Sequence, residues 1–275
     1  MLVRFAQPFS FELTTERFRA FGRDPATLWA GGRLFRVLAG REVAISPADG
    51  GVTVTPGEPL LAPIVHRFLG GAFDLDAFAA FAAGDGVLAR LVEALRGLRP
   101  VLVPEPFEAL VTSVTAQQVS LQAASAVRAR LVERFGERQR TAWAFPRPER
   151  IARARTEELR AVGLSARKAE YVLALALFAP ELEGLAVLPA AEVKRRLTRL
   201  PGIGEWTADW FLARHLGRED AWPAGDLGLR KAVGAFYFEG RDVSADEVRA
   251  FGERFGSHAN LAAHYLLVAR RVLPA

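Results

Sequence analysis

The chain has 275 residues, of which 51% are hydrophobic and 24% are charged, with a formal net charge of +5. This composition is typical of a globular protein, and the length predicts two or three packed units. The chain has no cysteine and only four histidines, which lack the spacing of a zinc site; this excludes disulfides and argues against thiolate-bound metals or iron–sulfur clusters. A pI near 10.2 favours a polyanionic partner only weakly.

Signals for membrane insertion or export are missing from the sequence pattern. The longest apolar runs, such as residues 171–179, fall far short of the ~18 residues that cross a bilayer. The N-terminal residues lack a basic segment followed by an apolar one. We therefore expect a soluble, cytoplasmic protein with no membrane partner.

The first part of the chain, up to about residue 72, has the pattern of a small antiparallel sheet. Three runs rich in β-forming residues occupy 33–38 (RLFRVL), 41–46 (REVAIS) and 51–56 (GVTVTP), and Ala-Gly and Ala-Asp-Gly-Gly turns separate them. Short turns between successive strands predict a meander.

Helical spacing dominates from Phe73 to the end of the chain. Apolar residues recur at helical intervals in residues 73–83, 86–98, 106–136, 155–179 and 190–200. Ser244 and Glu247 have the spacing of a capping box, so a further helix is expected to begin there. The predicted fold class is α+β, with an N-terminal antiparallel sheet followed by a mostly helical body.

The segment LPGIGEWTADWF, residues 200–211, predicts a tight hairpin between two helices. Gly202 and Gly204 can expose backbone N–H groups beside a helix N-terminus, which is a favourable arrangement for binding a phosphate. Lys194 and Arg199 in the preceding helix would add positive potential. The alternative is a hairpin whose glycines only permit close packing and whose charges are solvated.

This hairpin, together with the following PAGDLGLRKAV (residues 223–233), resembles the motif of the helix-hairpin-helix DNA glycosylase superfamily. Residues 106–120, 145–152 and 158–176 also resemble segments of its alkylbase branch, the 3-methyladenine DNA glycosylase II type. The resemblance covers residues 73–275 and implies a sheet domain like TATA-binding protein at 1–72. It implies helical domains at 73–104 plus 227–275 and at 105–226, the latter containing the helix-hairpin-helix at about 190–217.

The resemblance gives Asp226 the role of the catalytic aspartate, although an isolated aspartate is more often a helix cap or a surface charge. A carboxylate beside the sugar can stabilise the positive charge that develops at C1′ and can orient or deprotonate the attacking water. In members of the superfamily that also cleave the DNA backbone, a nucleophilic lysine occupies the position of Trp206. The resemblance therefore implies a monofunctional enzyme that needs no cofactor.

Further roles follow from the same resemblance. Trp206 and Trp210 share one helix face and would line the pocket for the flipped base, unless they only pack in the core. Gln117 and Gln118 match the loop whose side chain fills the gap left in the duplex by the flipped base. Gln118 is the better candidate for this role, and the alternative for both residues is a buried amide that caps a helix. His258 stands where the branch usually has a tryptophan, and it would form a smaller pocket wall unless it is simply exposed.

The resemblance also implies partners and a cation. The backbone carbonyls of Thr198, Leu200 and Ile203 correspond to positions that hold a structural Na+ or K+ ion at the hairpin. The expected partner is double-stranded DNA with a damaged base, and the expected state is a monomer. Two alternatives remain: a non-catalytic helix-hairpin-helix protein that binds the DNA backbone, and an 8-oxoguanine-type glycosylase.

Overall fold

The N-terminal part of the chain forms a five-stranded antiparallel sheet. The structure is a computed structural model that describes residues 1–273. The strand order is β1-β5-β4-β3-β2, and the strands are β1 (Leu2–Arg4), β2 (Thr27–Ala30), β3 (Arg33–Leu38), β4 (Arg41–Ala48) and β5 (Gly51–Thr55). The three strands predicted from the sequence are confirmed as β3, β4 and β5.

One face of this sheet is apolar because its buried residues alternate along each strand. Leu34 pairs with Ile45, and Ile45 pairs with Val54, and all three side chains are fully buried. Alternation with a period of two places such residues on a single face. The helix at Leu61–Phe68 packs its buried side chains, Leu61, Val65 and Phe68, into the same core.

The rest of the chain is mainly helical. The helices are α1 (Phe11–Thr14), α2 (Arg17–Ala20), α3 (Leu61–Phe68), α4 (Leu75–Ala82), α5 (Gly86–Ala94), α6 (Pro106–Ala116), α7 (Leu121–Phe135), α8 (Pro148–Ala152), α9 (Thr156–Ala161), α10 (Ala166–Leu182), α11 (Ala190–Leu197), α12 (Glu205–Phe211), α13 (Leu227–Tyr237), α14 (Ala245–Gly252) and α15 (Ala259–Val272). The α+β fold class is confirmed. Between residues 1 and 273, no helix has both the length and the apolar character that crossing a bilayer requires.

The predicted capping box at the start of α14 is present in the structure. Ser244 accepts a hydrogen bond from the backbone N–H of Glu247, and the Glu247 carboxylate accepts one from the backbone of Ser244. Reciprocal bonds of this kind satisfy two amide groups that the helix leaves without partners.

Helical spacing did not reveal every break. Residues 106–136 fold as two helices, α6 and α7, separated at residues 117–120, and Ser120 caps the second by accepting from the N–H of Ala123. A two-residue pair of strands, β6 (Glu137–Arg138) and β7 (Trp143–Ala144), was also missed. The spacing of apolar residues continues across the break, and two residues are too few to show alternation.

Three buried clusters organise the interior. The first joins the sheet to α3, the second combines residues 73–102 with residues 224–269, and the third is formed by residues 107–221. The hairpin between α11 and α12 belongs to the third cluster, whereas α13 and α15 belong to the second. The loop that carries Asp226 therefore lies where these two helical clusters meet.

Candidate active site

The predicted hairpin forms between α11 and α12, and its two glycines serve different purposes. Gly202 has a φ of +76°, and a Cβ atom there would come within 2.0 Å of the Tyr171 ring. Gly204 is the N-cap of α12, and a Cβ atom there would meet no atom within 4 Å. Close packing therefore accounts for Gly202, whereas Gly204 leaves the backbone open to a ligand.

The charged residues of the hairpin also differ from one another. The Lys194 ammonium lies 2.5 Å from a carboxylate oxygen of Asp209, whose side chain is only 6% exposed. Burial raises the pKa of Asp209 although Lys194 acts in the opposite direction. Arg199 is exposed and forms no ion pair with residues 1–273. Lys194 thus serves as the counter-ion of a buried carboxylate, while Arg199 remains available to a phosphate.

The three carbonyls expected to hold a cation lie in the same turn. The carbonyl of Leu200 accepts a hydrogen bond from the N–H of Ile203 at 3.1 Å. Within residues 1–273, the carbonyls of Thr198 and Ile203 accept none from another backbone group. These two oxygens fit the preference of hard cations for oxygen ligands.

Asp226 is held by three N–H donors. It caps α13, and its Oδ1 accepts from the backbone N–H of Leu229 at 2.8 Å. Its Oδ2 accepts from the indole Nε1 of Trp206 at 3.0 Å and of Trp210 at 3.2 Å. The carboxylate is therefore both a helix cap and the acceptor for two aromatic side chains on one face of α12.

A polar network that the sequence did not reveal lies behind Trp210. The guanidinium of Arg214 stacks over the Trp210 ring at 5.0 Å from its centroid. Its Nη1 donates to Oδ1 of Asn260 at 2.5 Å, and its Nη2 lies 3.1 Å from Nδ1 of His264. Asn260 is fully buried and donates to the carbonyls of Ala213 and Arg218. Helix α15 thus holds Arg214 against the Trp210 ring.

The electrostatics of this network leave Arg214 charged and His264 neutral. Burial, and after it the nearby Arg17, lower the pKa of Arg214 to about 9, although Asp226 acts in the opposite direction. Burial, and then the nearby Arg214, hold the pKa of His264 well below 6.5. A neutral imidazole can accept from Arg214 at Nδ1, so one face of Trp210 lies against a buried cation near neutral pH.

His258 makes different contacts from those of the other predicted pocket residues. Its ring stacks on Phe81 at 4.6 Å and lies 6.1 Å from Phe78, both on α4. The two indoles contact Asp226 instead. Two residues after His258, Asn260 joins the network behind Trp210, whereas the role of His258 in the base pocket stays a prediction.

The predicted glutamines occupy the break between α6 and α7. Gln117 follows α6, and its Nε2 donates to the carbonyl of Gly202 at 2.9 Å and to Oγ1 of Thr207 at 3.2 Å. Gln118 is exposed and has a φ of +55°. Gln117 therefore ties the loop to the hairpin, and Gln118 is the residue presented to solvent.

The described geometry defines a helix-hairpin-helix protein whose hairpin and loop lie next to a carboxylate held by two tryptophans. The family model for the "HhH-GPD superfamily base excision DNA repair protein" matches residues 111–257. The chain belongs to this family.

The known proteins that are similar to the chain include two 3-methyladenine glycosylases and an 8-oxoguanine glycosylase/lyase. A solved 3-methyladenine DNA-glycosylase from Archaeoglobus fulgidus has a TM-score of 0.91 and 30% identity over 100% of both chains. The DNA-3-methyladenine glycosylase of Bacillus subtilis (strain 168) is 30% identical over 74% of this chain and 69% of its own length. An 8-oxoguanine glycosylase/lyase of Clostridium acetobutylicum, in complex with double-stranded DNA, has a TM-score of 0.81 at 20% identity, covering 96% of this chain and 92% of its own. At that identity the last similarity concerns the fold alone.

Proposed function

We propose that the chain is a monofunctional DNA glycosylase that flips alkylated purines of the 3-methyladenine and 7-methylguanine type out of duplex DNA and releases them. The observation that carries this proposal is the Asp226 carboxylate beside two indoles of α12, the helix that follows the hairpin. The similarity to glycosylases named for 3-methyladenine supports the substrate class.

The proposed reaction is hydrolysis of the N-glycosidic bond. The base leaves with the bonding electron pair, and the oxygen of a water molecule bonds to C1′. The Asp226 carboxylate stabilises the positive charge on the sugar and accepts the proton of the water. A base that already carries positive charge leaves as a neutral molecule, so no general acid is required.

Trp206 is the better candidate for stacking on a cationic base. Arg214 covers one face of Trp210 and weakens its attraction for a second cation. Within residues 1–273, no aromatic or cationic side chain stacks on Trp206. We therefore assign stacking mainly to Trp206, and orientation of Asp226 to both indoles.

The remaining parts of the proposal concern binding. Exposed Arg199 and the open backbone at Gly204 would contact phosphate groups, with a Na+ or K+ ion on the carbonyls of Thr198, Leu200 and Ile203. Gln118 would occupy the gap left by the flipped base. We propose that the protein acts as a cytoplasmic monomer on damaged duplex DNA.

Base-release assays on duplexes that carry different lesions test the function. We expect release of 7-methylguanine and 3-methyladenine, and strand breaks only after alkali, because Trp206 occupies the position of the lyase lysine. Borohydride should trap no covalent complex with DNA. A trapped complex, or release of 8-oxoguanine alone, would overturn the monofunctional alkylbase proposal. Binding without release of any base would favour the non-catalytic alternative.

The hairpin is tested best at Gly204, because a side chain at Gly202 would collide with Tyr171. Gly204→Leu should weaken binding to damaged and undamaged duplex by a similar factor of about ten, since phosphate contacts position a protein without reading bases. The control is Gly184→Leu, at an exposed glycine whose Cβ also meets open space. Fluorescence anisotropy measures both affinities. A change confined to damaged DNA would contradict the phosphate-binding role.

A further inference from the structure

The loop between α6 and α7 holds one residue in an unfavourable backbone conformation. Gln118 has a φ of +55°, which residues other than glycine rarely adopt. The neighbouring Val119 is 45% exposed. Conformations of this kind persist only where the surrounding structure imposes them, so the contacts on either side of Gln118 must hold the loop.

Lys168 provides one of these contacts from the first turn of α10. Its Nζ donates to the carbonyl of Thr115 at 3.0 Å and to the carbonyl of Gln117 at 2.7 Å. The last carbonyls of a helix have no partner within the helix and carry partial negative charge. Lys168 therefore closes the C-terminus of α6 and fixes the peptide group that directly precedes Gln118.

Hydrogen bonds of Gln117 and Ser120 also hold the backbone on either side of Gln118. The side chain of Gln117 donates to the carbonyl of Gly202 in the hairpin and to Thr207 on α12. On the far side, Ser120 caps α7. The backbone on both sides of Gln118 is thus held, while its own side chain is left exposed.

The positive charge of Lys168 is a reason to connect this residue with DNA. Within residues 1–273, no carboxylate forms an ion pair with its ammonium group, which only carbonyls contact. Desolvation lowers the pKa of Lys168 below its usual value. Phosphate groups near the loop would offset this uncompensated charge.

We infer that Lys168 is a positioning residue that holds Gln118 ready to enter the duplex, so that it promotes base flipping rather than bond cleavage. The inference rests on the proposed glycosylase function. Flipping requires that stacking and pairing be broken, and a loop that is already ordered loses less entropy when it fills the gap. Loss of Lys168 should therefore affect only substrates whose base must be unpaired.

The test compares one lesion in two duplexes under single-turnover conditions. In the first duplex the lesion is paired, and in the second it lies opposite an abasic analogue, with the same flanking sequence. We expect Lys168→Met to slow release from the paired duplex by about tenfold and from the unpaired one by less than about twofold, because the cost of opening the pair is removed in the second. With the paired duplex, a fluorescent base next to the lesion should report less base flipping by Lys168→Met than by the wild type.

Lys231→Met is the matched control, because it removes the same charge from an exposed lysine on α13. It should leave the ratio of the two rates unchanged. Equal slowing of both substrates by Lys168→Met, or no slowing of either, would overturn the inference. If Lys168→Met does not fold, Lys168→Gln, which retains an N–H donor, is assayed instead. Its ratio of release rates from the paired and unpaired duplexes is then compared with that of the wild type. Absence of base release by the wild type would instead overturn the proposed function.

Discussion

Asp226→Asn should slow single-turnover base release by at least about a hundredfold, because the negative charge that stabilises the developing positive sugar is lost. Affinity for damaged duplex should stay the same or increase, since a negative charge near phosphates opposes binding. The helix cap can survive the change because asparagine caps helices about as well as aspartate. Quenched-reaction assays and fluorescence anisotropy measure the two effects separately.

The substitution should also have a modest effect on stability. The amide has one acceptor oxygen where the carboxylate has two. It can accept from the N–H of Leu229 or from the indoles of Trp206 and Trp210, but not from both groups at once. Leaving such a donor unpaired costs about 1–3 kcal/mol, which thermal unfolding can distinguish from the loss of catalysis.

A second N-cap aspartate provides the control for this experiment. Asp74 caps α4 by accepting from the N–H of Ala77 at 2.9 Å. Asp74→Asn makes the same chemical change and should leave base release unaffected. Full activity of Asp226→Asn would rule out its catalytic role. Loss of DNA binding together with helical circular dichroism would show that Asp226 is mainly structural.

The sequence predicted the features that depend on nearby residues. The strands of the meander, the hairpin at residues 201–204 and the capping box of Ser244 and Glu247 all follow from short patterns of apolar, glycine and capping residues. Each of these patterns acts within one or two turns of the chain. The catalytic role of Asp226 came from the family resemblance instead, with a helix cap as one alternative; the structure shows the cap, and the catalytic role stays a prediction.

The contacts that shape the site could not be predicted in this way. Arg214 contacts Asn260 and His264, which lie 46 and 50 positions further along the chain. Lys168 donates to the carbonyl of Gln117, which lies 51 positions before it. None of these pairs has a sequence spacing that implies contact. The packing of Tyr171 against Gly202 also joins residues that are distant in sequence, so the glycine was predicted but only the structure showed why it is needed.

A buried ionic network joins the sheet to the helical body. Glu108 on α6 is 2% exposed and accepts from Arg36 of β3 and from Arg128 of α7. Arg128 also donates to Asp24 at 3.1 Å and to Thr112 at 2.6 Å. One carboxylate on α6 therefore links three separate elements, and α6 is also the helix that ends at the loop of residues 117–120.

Glu108→Gln should destabilise the protein by about 3–5 kcal/mol, the usual effect of removing one partner from a buried ion pair. The uncharged amide leaves buried Arg36 without its carboxylate partner and Arg128 with Asp24 alone, and its NH2 group faces one of these donors. Urea denaturation measures the free energy of unfolding. Glu133→Gln is the control, because Glu133 pairs with Arg23 on the surface and both side chains are exposed.

The network should also make the free energy of unfolding depend on pH under acidic conditions. Desolvation acts to raise the pKa of Asp24, but its ion pair and hydrogen bond with Arg128 outweigh that effect and hold the pKa below its usual value. The unfolded carboxyl has a pKa of about 3.9, so this contribution is complete above that pH and is lost as pH falls through the lower folded value. Asp24→Asn should remove it and flatten the dependence of stability on pH in this range. If the surface variant Glu133→Gln lost as much stability as Glu108→Gln, burial would not be the source of the large effect.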